Sequence, residues 1–350
     1  MAQYRYLAAD LRDNTIREEI PFTDVSYSRV LNRPGAFSAS LPTRHAKALR
    51  GTLDPGRTAI YIERDGVPRW GGILWTARAA SGRVQFGGEG FWSYFRRRVI
   101  GATKTYTSTD QLAIARDLID YAQGIFGGNL GVVVGSETSG VLRDRTYFDY
   151  ELKNIGEAVE QLSEVINGFD FGIDISKSGE SFVKTFRLDY PMRGRSTEFV
   201  FDLTRNIESV EWGIDATKQA NKVWAIGAGE EDDQLQVSVT NTSLLGISDP
   251  LLEDVLTLKD VSVVDTLVGH AQAEIRQRLF PVESLPSLTI RSRVDVPVGA
   301  WIEGDEVTVI AQDGYLDVNG RFRIVSDDVK VSKTGSEDVS LTFAGVETFA

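Results

Sequence analysis

Cysteine is absent from the 350-residue chain. That excludes disulfides, thiolate nucleophiles, iron–sulfur clusters and Cys-based zinc sites together. Histidine is nearly absent: only His45 and His270 occur, far apart in sequence. A His-based metal site or a Ser-His-Asp triad would have to use one of them. His45 lies in Thr43-Arg44-His45-Ala46-Lys47, which reads as an exposed helical turn, and His270 falls inside a periodic helix. Both read as ordinary histidines. No apolar run approaches the roughly 20 residues needed to span a bilayer. The N-terminal Met1-Ala2-Gln3-Tyr4-Arg5 leads into alternating sequence with no apolar signal-peptide core. The expectation is a protein made and assembled in a cytoplasm, without membrane insertion. A basic stripe for nucleic acid is also missing. Fifty acids against 38 bases leave a net charge of −12, and the densest basic run is only Arg96-Arg97-Arg98. Such a surface keeps a protein soluble, or keeps nucleic acid from sticking to it.

What is present is globular: 42% hydrophobic and 25% charged residues exclude a disordered chain. The length implies two to four domains. Residues 1 to about 95 alternate apolar and polar residues, the period-2 signature of strands with one buried face. A hairpin is expected where Ala59–Glu63 runs into Arg64-Asp65-Gly66 and returns through Trp70, Ile73, Leu74 and Trp75, since Asp-Gly favours two-residue hairpin turns. Residues 96–197 change to mixed α/β. One helix, capped by Ser108-Thr109-Asp110, buries Leu112, Ala115, Leu118, Ile119 and Ala122. A second opens at Asn154 with Glu157 at capping-box spacing, buries Ile155, Ala158, Val159, Leu162, Val165 and Ile166, and stops at Asn167-Gly168. Strands Asp170–Ile175 and Phe182–Leu188 pair across Lys177-Ser178-Gly179. The strands around 198–212 are expected to return to the first domain. Residues 213–350 are expected to be a second β domain with a helix near 262–280, burying Val264, Leu267, Val268, Ala271, Ile275 and Leu279 and closing at Pro281.

A weak internal repeat accompanies this order. Ile60–Glu63, Asp65-Gly66, Gly72–Leu74, Ser81-Gly82 and Val84–Phe86 have a late counterpart in Val307–Ile310, Asp313-Gly314, Gly320–Ile324, Thr334-Gly335 and Val339–Phe343. Two unrelated hairpins would look similar; two related small β-barrels would also produce it.

No motif carries chemistry. Gly87-Gly88-Glu89-Gly90 mimics a dinucleotide fingerprint but leads into the bulky Phe91-Trp92-Ser93-Tyr94-Phe95. Gly227-Ala228-Gly229 is followed by Glu230-Glu231-Asp232-Asp233, which would repel a phosphate and could at most attract calcium weakly. Tyr315–Gly320 lacks the first ligand and the closing Glu of an EF-hand loop. Gly135–Gly140 misplaces the serine of a nucleophile elbow. Carboxylate pairs such as Asp149/Glu151 or Asp170/Asp174 arise by chance among 50 acids. The aromatic cluster 91–95 reads as core or domain interface. The chain is therefore expected to be non-enzymatic, with no catalytic, cofactor-binding or metal-binding residue and no cofactor.

Several stretches, in order, resemble the minor tail or hub proteins of actinobacterial siphophages, related in fold to the baseplate hubs of contractile tails. They are Asp24-Val25-Ser26-Tyr27-Ser28-Arg29-Val30-Leu31-Asn32-Arg33-Pro34-Gly35-Ala36-Phe37-Ser38-Ala39-Ser40-Leu41-Pro42; Arg64-Asp65-Gly66 with Trp70-Gly71-Gly72-Ile73-Leu74; Gly90–Arg98; Asp215–Gly229; and Gly304-Asp305-Glu306-Val307 with Gly320-Arg321-Phe322-Arg323-Ile324. The resemblance implies two β-barrel domains of tail-tube type with α/β insertions, in a β-rich α+β fold. It implies a homotrimer whose six barrels form a pseudo-sixfold ring, joining a hexameric tail tube to a threefold tip. The partners would be the distal tail protein and tail tube, other tail-tip proteins, and the tape-measure protein and DNA passing through the channel without specific binding. The location would be the virion. Some such hubs carry a C-terminal hydrolase module; the stop at Ala350, directly after the last expected strand, argues against tail-associated lysis here. Two other classes stay open: a carbohydrate- or receptor-binding module, which would need Trp70, Trp75 and Trp92 exposed in a groove, and a cell-wall hydrolase.

Overall fold

The structure, a computed structural model, describes residues 2–243, 245, 250–279, 282–291 and 297–344. About half the residues lie in strands, and helices are few. The chain divides into two compact units, one of residues 2–210 and 287–344 and the other within 211–286.

In the first unit the chain opens with β1 (Tyr4–Asp10), β2 (Ile16–Glu19), β3 (Thr23–Val30), β4 (Ala36–Pro42), β5 (Thr58–Arg64), β6 (Val67–Ala80) and β7 (Arg83–Gly90). The helical turn α1 (Trp92–Phe95) leads to β8 (Lys104–Asp110), α2 (Gln111–Gly124), β9 (Val132–Val134), β10 (Leu142–Tyr147) and α3 (Ile155–Ser163). The β11 (Asp170–Ser178) and β12 (Ser181–Asp189) hairpin, β13 (Ser196–Asp202) and β14 (Ile207–Asp215) follow. The second unit holds β15 (Lys222–Ile226), β16 (Gln236–Thr240), β17 (Glu253–Thr257) and α4 (Val264–Arg278). The chain returns through β18 (Val282–Arg291) to β19 (Glu306–Asp313), β20 (Leu316–Val331) and β21 (Glu337–Phe343).

The large sheet of the first unit runs β18-β21-β20-β3-β4-β7-β6-β5-β1-β2, with β19 also on β20 and β13 on β19. Two features differ from expectation. The N-terminal and C-terminal strands are not separate sheets, because β3 pairs antiparallel with β20 from Val25–Val331 to Val30–Ser326. No pairing joins the two ends of the order, so among the described residues no barrel closes through backbone hydrogen bonds. Side chains do part of that work instead. The sheet curls until Glu337 of β21 accepts from Tyr4 Oη of β1 at 2.6 Å and from Arg64 of β5 at 2.6 and 3.1 Å. Inside the curl lie Tyr6, Phe22, Phe37, Trp70 and Phe86, with ring centroids 5.4 to 6.1 Å apart. The buried Trp70 indole donates across this core to Ser28 O at 3.1 Å. β13 pairs in parallel with β19.

The internal repeat corresponds to two three-stranded meanders, β5-β6-β7 and β19-β20-β21. Each has a long middle strand, and each carries a bulge between its middle and last strands, at Trp75 and at Val325. The first turn places both Asp65 and Gly66 at positive φ, 51° and 77°, as the two-residue turn predicted from Asp-Gly requires.

Between β7 and β13 sits the predicted α/β segment. Asp110 caps α2 by accepting from Leu112 N at 2.9 Å, and Asn154 caps α3 by accepting from Glu157 N at 3.1 Å. The five predicted apolar residues of α2 are buried. In α3, Ile155, Ala158, Val159 and Leu162 are buried, but the helix ends at Ser163, before the predicted stop. Ser163 Oγ donates back to Glu160 O at 2.7 Å, and the chain turns so tightly that a Cβ on Gly168 would lie 1.8 Å from Ser163 O. Ile166, predicted to be buried, is therefore exposed. The carboxylate of Glu157 pairs with Lys153 at 3.3 Å rather than reaching back to the cap.

The second unit packs α4 on the sheet β16-β15-β17. Leu267, Ala271 and Ile275 meet Val223 and Ala225 there, while Val264 at the helix start is exposed. The predicted stop at Pro281 lies outside the described residues.

Candidate functional site

The aromatic cluster is the hinge of the first unit's packing. Phe91, Trp92 and Phe95 are buried and join β6 to the α/β segment through Phe171 of β11 and Phe186 of β12. The Trp92 indole donates to Glu160 Oε1 at 2.7 Å, and Arg96 binds both oxygens of the same carboxylate at 2.6 and 2.9 Å. Trp75 lies half-buried beneath the Arg97 guanidinium, 4.0 Å from its ring centroid. The exposed tryptophan groove required by the carbohydrate-binding alternative is not formed, since Trp70 and Trp92 are buried.

The other sequence candidates resolve into structural roles. Gly87, Gly88 and Gly90 lie in β7, paired on both sides, and a Cβ on Gly90 would stand 1.9 Å from Pro34 O. Close backbone approach, not phosphate binding, explains that glycine. Ser139 and Gly140 serve the cap of α2: their backbone N–H groups donate to Asp110 Oδ2 at 2.9 and 2.8 Å. Tyr315–Gly320 forms the β19–β20 turn and the start of β20. Asp170 accepts from Asn32 Nδ2 at 2.8 Å and Arg193 N at 2.7 Å, and Asp174 pairs with Arg193 at 2.6 Å. Lys47 N donates to His45 Nδ1 at 3.1 Å within a turn, and His270 is exposed on α4. Among the described residues no group of three or more His, Asp or Glu is placed to hold a metal.

A cleft of about 730 Å³ lies in the first unit. It is walled by β3, β6, the β11–β12 hairpin and the segments around 192–195 and 300–305. Trp70, Phe91 and Ile175 contribute its apolar lining. Its polar lining holds six arginines (Arg29, Arg33, Arg69, Arg187, Arg193, Arg195) and four carboxylates (Asp174, Asp189, Glu303, Asp305). Sequence reading missed this site because its arginines come from four separate stretches.

Most of these charges are paired. Arg29 makes an ion pair with the buried Asp327, its Nε donating to Asp327 Oδ1 at 3.0 Å, and lies 3.7 Å from Glu303. Burial opposes its charge, but Asp327 and Glu303 outweigh that and hold it firmly protonated. Arg193 reaches Asp174, Glu303 and Asp189 at 2.6, 3.0 and 3.2 Å. Arg187 pairs with Asp189, and Arg33 with Glu164. Arg69 and Arg195 differ: neither makes an ion pair among the described residues.

One further group stands out nearby. The inward face of β12 reads Phe182, Lys184, Phe186, Leu188, and Lys184 is buried with no hydrogen-bond partner for Nζ. Its ammonium lies 5.0 Å from the centroid of the Phe91 ring, and burial pushes its pKa down to about 8.

Comparison with known proteins places this fold. No protein-family model matches the chain, and no curated protein matches it. Among solved structures it resembles the 43 kDa tail protein of prophage MuSo2 from Shewanella oneidensis, with a TM-score of 0.63 and 15% identity over 97% of each chain. A tail protein from Neisseria meningitidis gives a TM-score of 0.56 at 13% identity, over 98% of this chain and 97% of that one. A component of the E. coli type VI secretion system, described as similar to bacteriophage T4 tail proteins, gives 0.51 at 12% identity over 93% and 74%. At these identities the likeness is one of fold: the chain has a β-rich fold found in phage tail proteins and a secretion-system relative of them.

Proposed function

We propose that this chain is a non-enzymatic structural hub at the tip of a phage tail. The observation that carries the reading is a fold shared with two tail proteins over 97% or more of this chain, built on a duplicated β meander. Acting as a homotrimer, it joins the hexameric tail tube to a threefold tip. The β lobe within 1–95 and the β strands at the end of 213–350 act as the two barrel-like halves, with 96–197 as the insert. Three copies then supply six such halves, matching the sixfold tube. The ordered stretches that resemble actinobacterial siphophage minor tail proteins favour that group of tails. The partners are the distal tail protein or tail tube, other tail-tip proteins, and the tape-measure protein and DNA that pass through the channel. A net charge of −12 suits a passage in which DNA slides without sticking. The site of action is the virion, after assembly in the host cytoplasm.

Light scattering on the purified protein, alone and then with its tail-tube neighbours, tests this reading. A monomer has a mass of 38.6 kDa; the expected particle is three times that, alone or on the assembly. A chain that stays monomeric with those neighbours present refutes it.

A further inference from the structure

Two of the six arginines in the cleft lining, Arg69 and Arg195, make no ion pair among the described residues, in a protein of net charge −12. Arg69 donates from NH1 to Gly299 O at 2.9 Å, and its Nε is buried without an acceptor. A Cβ on Gly299 would fall 2.3 Å from the guanidinium carbon, so the glycine lets this arginine lie flat on the backbone in a fixed orientation. Arg195 is exposed; its backbone N–H donates to Asp305 at 2.9 Å and its carbonyl accepts from Glu306 N at 2.9 Å, while no hydrogen bond or ion pair engages its guanidinium among the described residues. A partly buried guanidinium without a counter-ion carries an unmet desolvation penalty, and Arg29 adds like-charge repulsion at Arg69. A carboxylate arriving from outside would relieve both.

We propose that this cleft is a docking site for a short acidic peptide segment of a partner protein, with Arg69 and Arg195 each receiving a carboxylate. The volume is within the range of sites that enclose a small ligand or a few residues. The apolar side chains of Ile175, Met192 and Ile302, which keep accessible surface in the lining, suit the aliphatic parts of a peptide. Charge complementarity selects acidic residues, and the fork of an arginine matches a carboxylate with two parallel hydrogen bonds. Nucleic acid is the poorer match, because phosphate binding of useful strength draws on an extended set of basic contacts, whereas only two arginines of this cleft are without an ion pair among the described residues.

Fluorescence anisotropy of labelled hexaglutamate on the full chain tests the site, with hexaglutamine as the uncharged control. The expected result is salt-sensitive binding of hexaglutamate alone. Arg69→Gln and Arg195→Gln should each weaken it by about fivefold or more, while Arg50→Gln, remote from the cleft, leaves it unchanged. Circular dichroism of each variant checks folding, and the exposed Arg195 supplies a variant free of packing effects. Failure of hexaglutamate to bind the wild-type chain at about 1 mM overturns the proposal. So does undiminished binding to the double variant. Equal binding of a single-stranded oligodeoxythymidylate of the same charge, lost with the same two arginines, would reassign the cleft to nucleic acid and overturn it too.

Discussion

Replacing Lys184 with methionine keeps the length of the side chain and removes its charge from a position that gives the charge nothing to bond. The wild-type ammonium titrates at about 8 in the folded protein against an ordinary value of 10.5. Each tenfold change in proton affinity corresponds to about 1.4 kcal/mol, so the fold bears a penalty of about 3 kcal/mol wherever both states are protonated. The sign follows from proton counting. Below pH 8 folded and unfolded chains both hold the proton and the penalty is complete. Between about 8 and 10.5 the unfolded chain holds more protons than the folded one, so the contribution of this group to stability improves as pH rises. Above 10.5 the penalty is gone. Lys184→Met should therefore be more stable than wild type by about 3 kcal/mol at pH 7, a rise in Tm of about 5–10 °C for a body of this size. The gain should shrink toward zero as pH approaches 10.5. Urea denaturation followed by tryptophan fluorescence, with wild type and variant compared at each pH, measures the difference directly. A gain that is absent at pH 7, or the same at every pH, would refute the reasoning.

Two further substitutions probe the first unit. Breaking the Arg29–Asp327 pair by Arg29→Met or Asp327→Leu alone should destabilise by about 3–5 kcal/mol, because each leaves a buried partner uncompensated; the double variant should lose less than the sum by about 2 kcal/mol, and a simple sum in a denaturation cycle would show the pair to be uncoupled. Trp92→Ala removes the ring lying 4.6 Å from Phe171 and 5.6 Å from Phe186, together with the donor to Glu160; a loss of about 3–5 kcal/mol is expected, read as a lower urea midpoint, and a loss under about 1 kcal/mol would mean that the cluster does not join β6 to the α/β segment.

Local features were legible because their causes lie within a few residues. The Asp65-Gly66 turn follows from the positive φ it demands. The caps at Asp110 and Asn154 follow from side chains that accept from orphan backbone N–H groups. Burial of Lys184 could be read from its place between Phe182 and Phe186 on one face of an alternating strand. The early end of α3 could not, because it depends on the close approach of Gly168 to Ser163 O. The cleft was illegible for a related reason: residues 69, 195 and 299 share nothing in sequence.

The sequence by itself determined that this is a β-rich chain without cysteine, with a strand–Asp-Gly–strand pattern near each end and an α/β segment after the first. Those properties follow from composition and from periodicities set by backbone geometry. Only the tertiary structure decided which edges meet. That β3 pairs with β20, that Glu337 rather than another strand joins β21 to Tyr4 and Arg64, and that Arg29 finds Asp327 are outcomes of strand edges and buried charges satisfying one another across about 300 residues of chain. Backbone groups at an edge accept any strand of compatible register, so the choice of partner is made by the side chains that must be buried together, and no local pattern records it.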